Sequence, residues 1–469
     1  MKRNALDPAG HAAARRAALA AAGAVSGRAD TIDRRDWLRA AAVAAGLPLL
    51  PLLPRTAAAQ GAFDWKRYAG QTIEVHLVKS PRGELLQKGE KEFEQLTGIK
   101  VGSEQIPEQQ SRQKAVIEFN SGKTSFDVIH LSYHVQKRQF AKGRWLEDLR
   151  PYFQSQAPAE LDLADFSEGG MFYATQSDGR IDSLPLNLDP WVLYWNKELF
   201  AAKGIAYPKS FPEIVAAAKA LHDPAKGIVG FVGRGLKNAN VPLWTGLFLG
   251  WGGEFFDAGG KLATETREAV ESATMYRDLL KNTGPAGVAG YNWNEAQSLF
   301  LQGRAAMWID GSGFAPPLED RTKSRIVGKV GYGVMPMGPK TQVSATFGDG
   351  IGVSASSQKK GPAWYYTMWA TGKMMQARML ATGAGAPVRQ SAYADKQAIA
   401  ALTVPAEWLE AVSASLKIAR PGLPIIEPVT EFRDVFGIAL NNMLTGADVA
   451  GELRKATAEF APVLAKSGG

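Results

Sequence analysis

The sequence predicts an α/β protein of two lobes that exchange strands, each a mostly parallel sheet flanked by helices. Three observations predict it. Strand-like stretches with period-two alternation are interleaved with helical stretches from residue 72 onward, the order that builds parallel sheets covered on both faces. At 469 residues the chain is long enough for two domains with a core each. No repeat of roughly 20–50 residues and no low-complexity linker divides it.

The elements follow in order. "TIEVHLV" opens the series, with Ile73, Val75 and Leu77 on one face. The next stretch carries Leu85, Leu86, Phe93 and Leu96 among strong helix formers, and Gly98 closes it. "IKVGSEQI" is a second strand, which completes a β-α-β unit. A helix around Gln109–Phe119 then leads to "SFDVIHL", a buried strand. Further on, "WVLYW" is apolar on both faces, as a central strand is, and "KELFAAKG" follows as a short helix. Helices are expected in "PEIVAAAKALH" and "REAVESATMYRDLLKN", on either side of the tryptophan-rich "LWTGLFLGWGGEFFD". "EAQSLFLQGRAAMWIDGSG" reads as helix, turn, strand and loop. "GYGVMPMGPK" and "GDGIGVSASS" read as strands with glycine at their ends, and "GPAWYYTMWATGKMMQARML" as a helix. Two helical stretches, "TEFRDVFGIALNNMLTG" and "DVAGELRKATAEFAPVLAK", come last.

A different kind of segment lies ahead of the first strand. Arg34 and Arg35 precede Trp37 and Leu38; 14 uncharged residues follow from Ala40 to Leu53, then Ala57, Ala58 and Ala59. The run falls short of the roughly 20 apolar residues of a membrane-spanning helix, and Gly46, Pro48 and Pro51 break it. Basic, apolar and small residues in that order form a cleavable export signal, and the arginine pair resembles the twin-arginine type. Cleavage is expected after Ala59, which leaves 410 of the 469 residues in a bacterial periplasm. Residues 1–59 carry +5 of the formal +8, so the remainder is near +3. Without an arginine-rich stripe, nucleic acid is not an expected partner. The absence of cysteine excludes disulfides, thiolate metal sites, cysteine nucleophiles and a thioether-linked lipid.

The motifs do not ask for catalysis. His130 and His134 in "HLSYH" have the spacing of a helical zinc pair but straddle a strand end, where that spacing does not share a face. "GDGIG" and "GWGGEFFDAGG" lack the spacing and the Lys-Ser/Thr ending of phosphate loops. The GxSxG nucleophile elbow is absent. No enzyme activity, cofactor or metal is expected.

"EKEFEQLTGIKV", "FDVIHL", "RWLEDL", "YWNKELF", "GGEFFDAGGKL", "GRAAMWIDGSG" and "VGYGVMPMGP" follow one another in an order that resembles the family 1 extracellular solute-binding proteins of ABC importers, which include the maltose-binding protein. The resemblance spans residues 70–465, and "GAGAPVRQSAYAD" is similar to the branch that handles sugars and sugar alcohols. It implies a two-lobed periplasmic binding protein of type II, with residues 60–186 plus 338–385 in the N-terminal lobe. Residues 187–337 plus 386–469 would form the C-terminal lobe. It further implies a monomer, exported by the twin-arginine machinery, that closes over a small neutral carbohydrate or polyol and delivers it to an inner-membrane ABC permease. A charged solute (a polyamine or a phosphorylated polyol) and a saccharide-acting enzyme are the competing readings.

Sugars present hydroxyls in fixed geometry and patches of C–H surface, so charged side chains and aromatic faces are the groups to seek. They should lie at the carboxyl ends of strands. The resemblance implies Asp189 and Trp191 beside "YWNK", and Asp310 and Phe314 after "GRAAM", as ligand contacts. In the tryptophan-rich stretch it implies Trp244 in preference to Trp251. Phe314 offers less stacking surface than the tryptophan of the maltose-binding protein, which favours a small ligand. Lys79 and Arg82 follow the first strand, and Tyr133 and His134 follow "DVIHL". Asp349 in "TFGDGIGVS", Arg389 in "APVRQS" and Arg433 complete the candidate set. Tyr365 and Tyr366 share a helix with Trp364 and Trp369 and are expected in the core.

Overall fold

The computed structural model describes residues 63–467; the export segment and its cleavage site lie outside them. Among the described residues the strands are β1 (Thr72–Val78), β2 (Lys100–Ile106), β3 (Val128–Ser132), β4 (Leu184–Asn196), β5 (Met307–Gly311), β6 (Val330–Val334), β7 (Ser344–Val353), β8 (Ala386–Pro387) and β9 (Ala419–Pro421). They are hydrogen-bonded in the order β2-β1-β3-β7-β4-β5, with β6 and β8 on β4 and β9 on β7.

The first unit shows how local sequence sets direction. Ser80 ends β1 and caps the helix Pro81–Thr97, its hydroxyl accepting from the Gly83 N–H, with Pro81 in the first turn. Gly98 closes that helix in the left-handed region, φ 71°. The chain then returns as β2, parallel to β1. Beneath this unit Ile73, Phe93, Val128, Trp364 and Tyr366 form one core.

β4 is the strand that both lobes share. From Leu184 to Pro190 it pairs with β7, and from Trp191 to Trp195 it pairs with β5. Its second half is buried on both faces, as "WVLYW" predicts. Trp191 and Leu193 enter a core with Trp244 and Phe436, while Val192 and Tyr194 enter another with Trp308 and Trp408.

The two-lobed α/β class holds, but its sheets are less parallel than expected. Only β1 with β2, β1 with β3, and β7 with β9 run parallel; β4 and β7 pair antiparallel with each other and with β5 and β3. Alternating strands and helices report parallel neighbours while the chain stays within one sheet. β7 follows β6, which pairs with the far half of β4, so it returns to β3 running the other way.

One stretch left unassigned takes a form, and one local reading changes. "LWTGLFLG" lies in the helix Val241–Gly250, every residue of which is buried; a helix apolar all round shows no amphipathic period. The stretch read as a helix from Gly361 to Leu380 is two, Lys360–Ala370 and Lys373–Thr382, separated where Gly372 becomes extended (ψ 160°). No helix among the described residues is long and apolar enough to cross a membrane.

The glycines of "GDGIG" lie within β7. A Cβ on Gly350 would sit 2.2 Å from the ring of Tyr133, which stacks on Tyr173 with centroids 5.7 Å apart. Its hydroxyl is also tied to Ser183 Oγ at 2.9 Å, so the ring has little freedom to move. Gly350→Ala is therefore expected to lower the unfolding free energy by about 1–3 kcal/mol, as measured by denaturant titration.

Candidate binding site

The carboxyl ends of β1, β2, β3 and β5 converge where β4 passes between the sheets. A cavity of about 40 Å³ lies there, and Lys79, Ser80, Glu108 and Trp293 are also walls of a larger space of about 810 Å³ beyond it. β1 delivers Lys79 and, one helical turn on, Arg82; β3 delivers Ser132 and His134. Asp189 and Trp191 come from β4, Phe347 and Asp349 from β7, and Phe314 from the turn after β5. Arg234 lies in the loop before the helix Val241–Gly250, and Arg433 on the helix Val429–Thr445.

Charge dominates the chemistry, and most of it is paired. Arg82 donates through Nε to Asp349 Oδ2 at 2.5 Å, and its Nη1 is 3.7 Å from Asp189 Oδ2. Arg234 grips Asp310 with two parallel bonds, Nε to Oδ2 at 2.9 Å and Nη2 to Oδ1 at 2.5 Å. Arg112 pairs with Glu108 and also donates to Ser132 Oγ at 3.2 Å. Asp189 Oδ1 accepts from the Gly313 N–H at 2.9 Å, and its nearest cation is Arg82, at 3.7 Å without a hydrogen bond. Arg433 is its counterpart: only 4% exposed, with no hydrogen-bond partner for Nε. Arg82 Nη1 lacks one as well. A buried donor left without an acceptor is costly, so these atoms mark where ligand oxygens are expected.

Burial and pairing set the protonation states. For Asp189, burial outweighs Arg82 and the Gly313 N–H and raises the pKa to about 6. Burial acts on Asp349 too, but Arg82 and His130 overcome it and hold that carboxyl below the usual range. Glu108 is brought down to about 2, burial being outweighed by Arg112, Arg234 and Arg433. His134, buried and facing Arg112, falls to about 3 and is neutral. Burial and then Arg112 lower Arg433 to about 9.

Of the residues named from sequence, Lys79, Arg82, His134, Asp189, Trp191, Phe314, Asp349 and Arg433 line the cavity. Asp310 stands behind Arg234 rather than at the surface. Three do not reach the site. Trp244 is fully buried in the core, stacked on Phe248 and Phe436, its indole N–H donating to Ser272 Oγ at 3.1 Å. Tyr133 faces Tyr173 and Ser183, because consecutive residues after β3 point to different sides. Arg389 is a buried clamp. It donates to the carbonyls of Thr371 (2.7 Å), Leu161 (2.9 Å) and Asp162 (3.2 Å), and lies 4.0 Å over the Phe166 ring.

Sequence reasoning missed Glu108, Arg234, Trp293 and Phe347. Glu108 follows β2 directly, so the strand-end rule that selected Lys79 would have found it. Arg234 is the single charge in "FVGRG", after an apolar pair; nothing local marks its direction.

Two outcomes are expected. Arg389→Ala, which strands three carbonyls, should lower unfolding free energy by about 2–4 kcal/mol in denaturant titration, with ligand affinity unchanged. The Asp189 carboxyl has a folded pKa above its unfolded value, so the folded state holds the proton more tightly and stability falls as pH rises from about 4 to 6. The unfolding free energy of Asp189→Asn relative to the parent should therefore rise by about 3 kcal/mol between pH 4 and 7 without ligand, read from urea titrations across pH.

The sequence matches the family model for bacterial extracellular solute-binding protein over residues 79–377. A probable amino-acid ABC transporter periplasmic-binding protein of Sinorhizobium fredii is 27% identical over 375 residues, covering 76% of this chain and 82% of that protein. An erythritol/L-threitol-binding protein of Mycolicibacterium smegmatis is 28% identical over 467 residues, covering 90% of this chain and 95% of that protein. Among solved structures, an ABC transporter solute-binding protein from Agrobacterium radiobacter K84 in complex with ribitol superposes with a TM-score of 0.78. It is 29% identical, and the match covers 84% of this chain and 99% of that one.

Proposed function

The chain belongs to the bacterial extracellular solute-binding proteins, and we propose that it is the substrate-binding component of an ABC importer for a small carbohydrate or sugar alcohol. The carrying observation is the pocket at the strand ends, a cavity of about 40 Å³ adjoining a space of about 810 Å³, where carboxylates and guanidinium groups stand side by side. A hydroxyl donates to the first and accepts from the second, and a polyol repeats that group on every carbon. Hinge closure then has a driving force: ligand oxygens supply the acceptors that Arg433 Nε and Arg82 Nη1 lack. The relatives named for erythritol and ribitol support the ligand class. A twin-arginine signal ending at Ala59 would place the protein in the periplasm, from which it hands its ligand to a membrane permease. Residues 60–186 with 338–385, and 187–337 with 386–469, are the proposed lobes. The ligand is bound and released without turnover.

A second reading has its own support. Asp189, with Arg82 3.7 Å away, and the unpartnered Arg433 would also suit the ammonium and carboxylate of an amino acid, and one relative carries that name. Thermal unfolding of residues 60–469 against alditols, monosaccharides, amino acids, polyamines and phosphate esters separates the readings. A ligand at 100 times its dissociation constant adds about 2.7 kcal/mol, a shift of several degrees. A shift with a polyol or sugar recovered unchanged is the expected result. A shift confined to amino acids would transfer the assignment, and consumption of a sugar would make the protein an enzyme.

A further inference from the structure

The charged groups explain why hydroxyls are wanted; the aromatic groups decide what shape may carry them. Trp191, Trp293, Phe314 and Phe347 line the cavity, and they pack against one another. Phe314 is stacked on Trp293, centroids 4.7 Å apart and planes 16° apart. Phe347 packs against Trp191 at 5.3 Å and meets the edge of His134 at 5.0 Å. Arg234 takes further surface: its guanidinium carbon lies 5.8 Å over the Trp191 ring and 5.9 Å over the Phe314 ring. It is held there by its two hydrogen bonds to Asp310.

A pyranose is bound by covering its C–H face with an aromatic plane, and carbon pairs pack at about 3.5–4 Å. A sugar ring between an aromatic plane and a guanidinium therefore needs about 7–8 Å. The 5.8 Å above Trp191 leaves no room for it. An open-chain polyol asks for no flat face. Its hydroxyls can reach the carboxylates of Asp189 and Asp349 and the guanidinium groups of Arg82 and Arg433 by torsion about single bonds.

We propose that this cavity selects open-chain alditols over cyclic sugars, and that Arg234, fixed by Asp310 over Trp191 and Phe314, is the residue that imposes the choice. The proposal rests on the carbohydrate reading above and narrows it. Arg234 occupies the place a ring would take over Trp191, so selection is by exclusion.

Isothermal titration of the purified chain with matched pairs tests it: ribitol against D-ribose, D-mannitol against D-mannose, D-glucitol against D-glucose. In at least one pair the alditol should bind at least about tenfold tighter than its parent aldose, and no aldose should exceed its alditol. Arg234→Ser, which uncovers Trp191 and Phe314, should bring that ratio toward one. Asp310→Asn, which loosens the guanidinium without removing it, should move it the same way and stands in if the serine variant does not fold. An aldose bound as tightly as its alditol by the unmodified protein overturns the proposal, and so does an unchanged ratio in a folded Arg234 variant. Binding of neither member of any pair, alongside binding of an amino acid or a polyamine, would instead remove the carbohydrate reading on which it rests.

Discussion

A charge taken out of water must be paired, and the cleft of this protein is organised by that requirement. Arg82 with Asp349, Arg112 with Glu108 and Arg234 with Asp310 satisfy one another in places where an isolated ion would cost several kcal/mol. What is left over is small: the Arg433 guanidinium, one nitrogen each of Arg82 and Arg112, and an Asp189 carboxylate whose nearest cation is 3.7 Å away. On the proposed function, these are the groups a ligand would meet. Burial moves their proton affinities, Asp189 up to about 6 and Arg433 down to about 9.

The pairing depends on topology. Asp189 and Asp349 lie on β4 and β7, adjacent antiparallel strands in which Asp189 is opposite Phe347 and Asp349 is opposite Asn187. That register brings both carboxylates within reach of Arg82, which follows β1. Because β4 changes pairing partner at Pro190–Trp191, Asp189 sits at the seam between the sheets. The bare backbone of Gly350 lets Tyr133 lie flat on β7, so an aromatic that sequence position would send to the cleft becomes a wall of the core. Cores of Trp, Tyr and Phe on both faces of β4 hold the seam in place.

Part of the cavity lining was legible beforehand, mainly from position along the strands. Lys79, Arg82, His134 and Phe314 follow strand ends, which point toward the crevice in folds of this kind, while Asp189 and Asp349 lie within β4 and β7 where those strands pair. Two other candidates lie away from the cavity. Trp244 and Arg389 have suitable chemistry in a suitable neighbourhood, yet their side chains turn inward, to Ser272 and to three backbone carbonyls. Chemistry is written in the residue type; direction depends on which neighbour offers the better contact. Arg234 is the converse case, an unmarked loop arginine whose role exists only because Asp310 and two aromatic rings surround it.

By itself the sequence determined the order of strands and helices, the core-facing positions, the absence of thiol chemistry and the set of charged residues available to a cleft. These follow from periodicity, capping and composition, which act over a few residues at a time. Only the tertiary structure decided that β4 serves two sheets, that all four of its strand pairings are antiparallel, and which cations meet which carboxylates. Residues 82 and 349, or 234 and 310, are paired by distances that no local rule reaches. Long-range packing sets those distances, and so decides which charges are cancelled and which remain for a ligand.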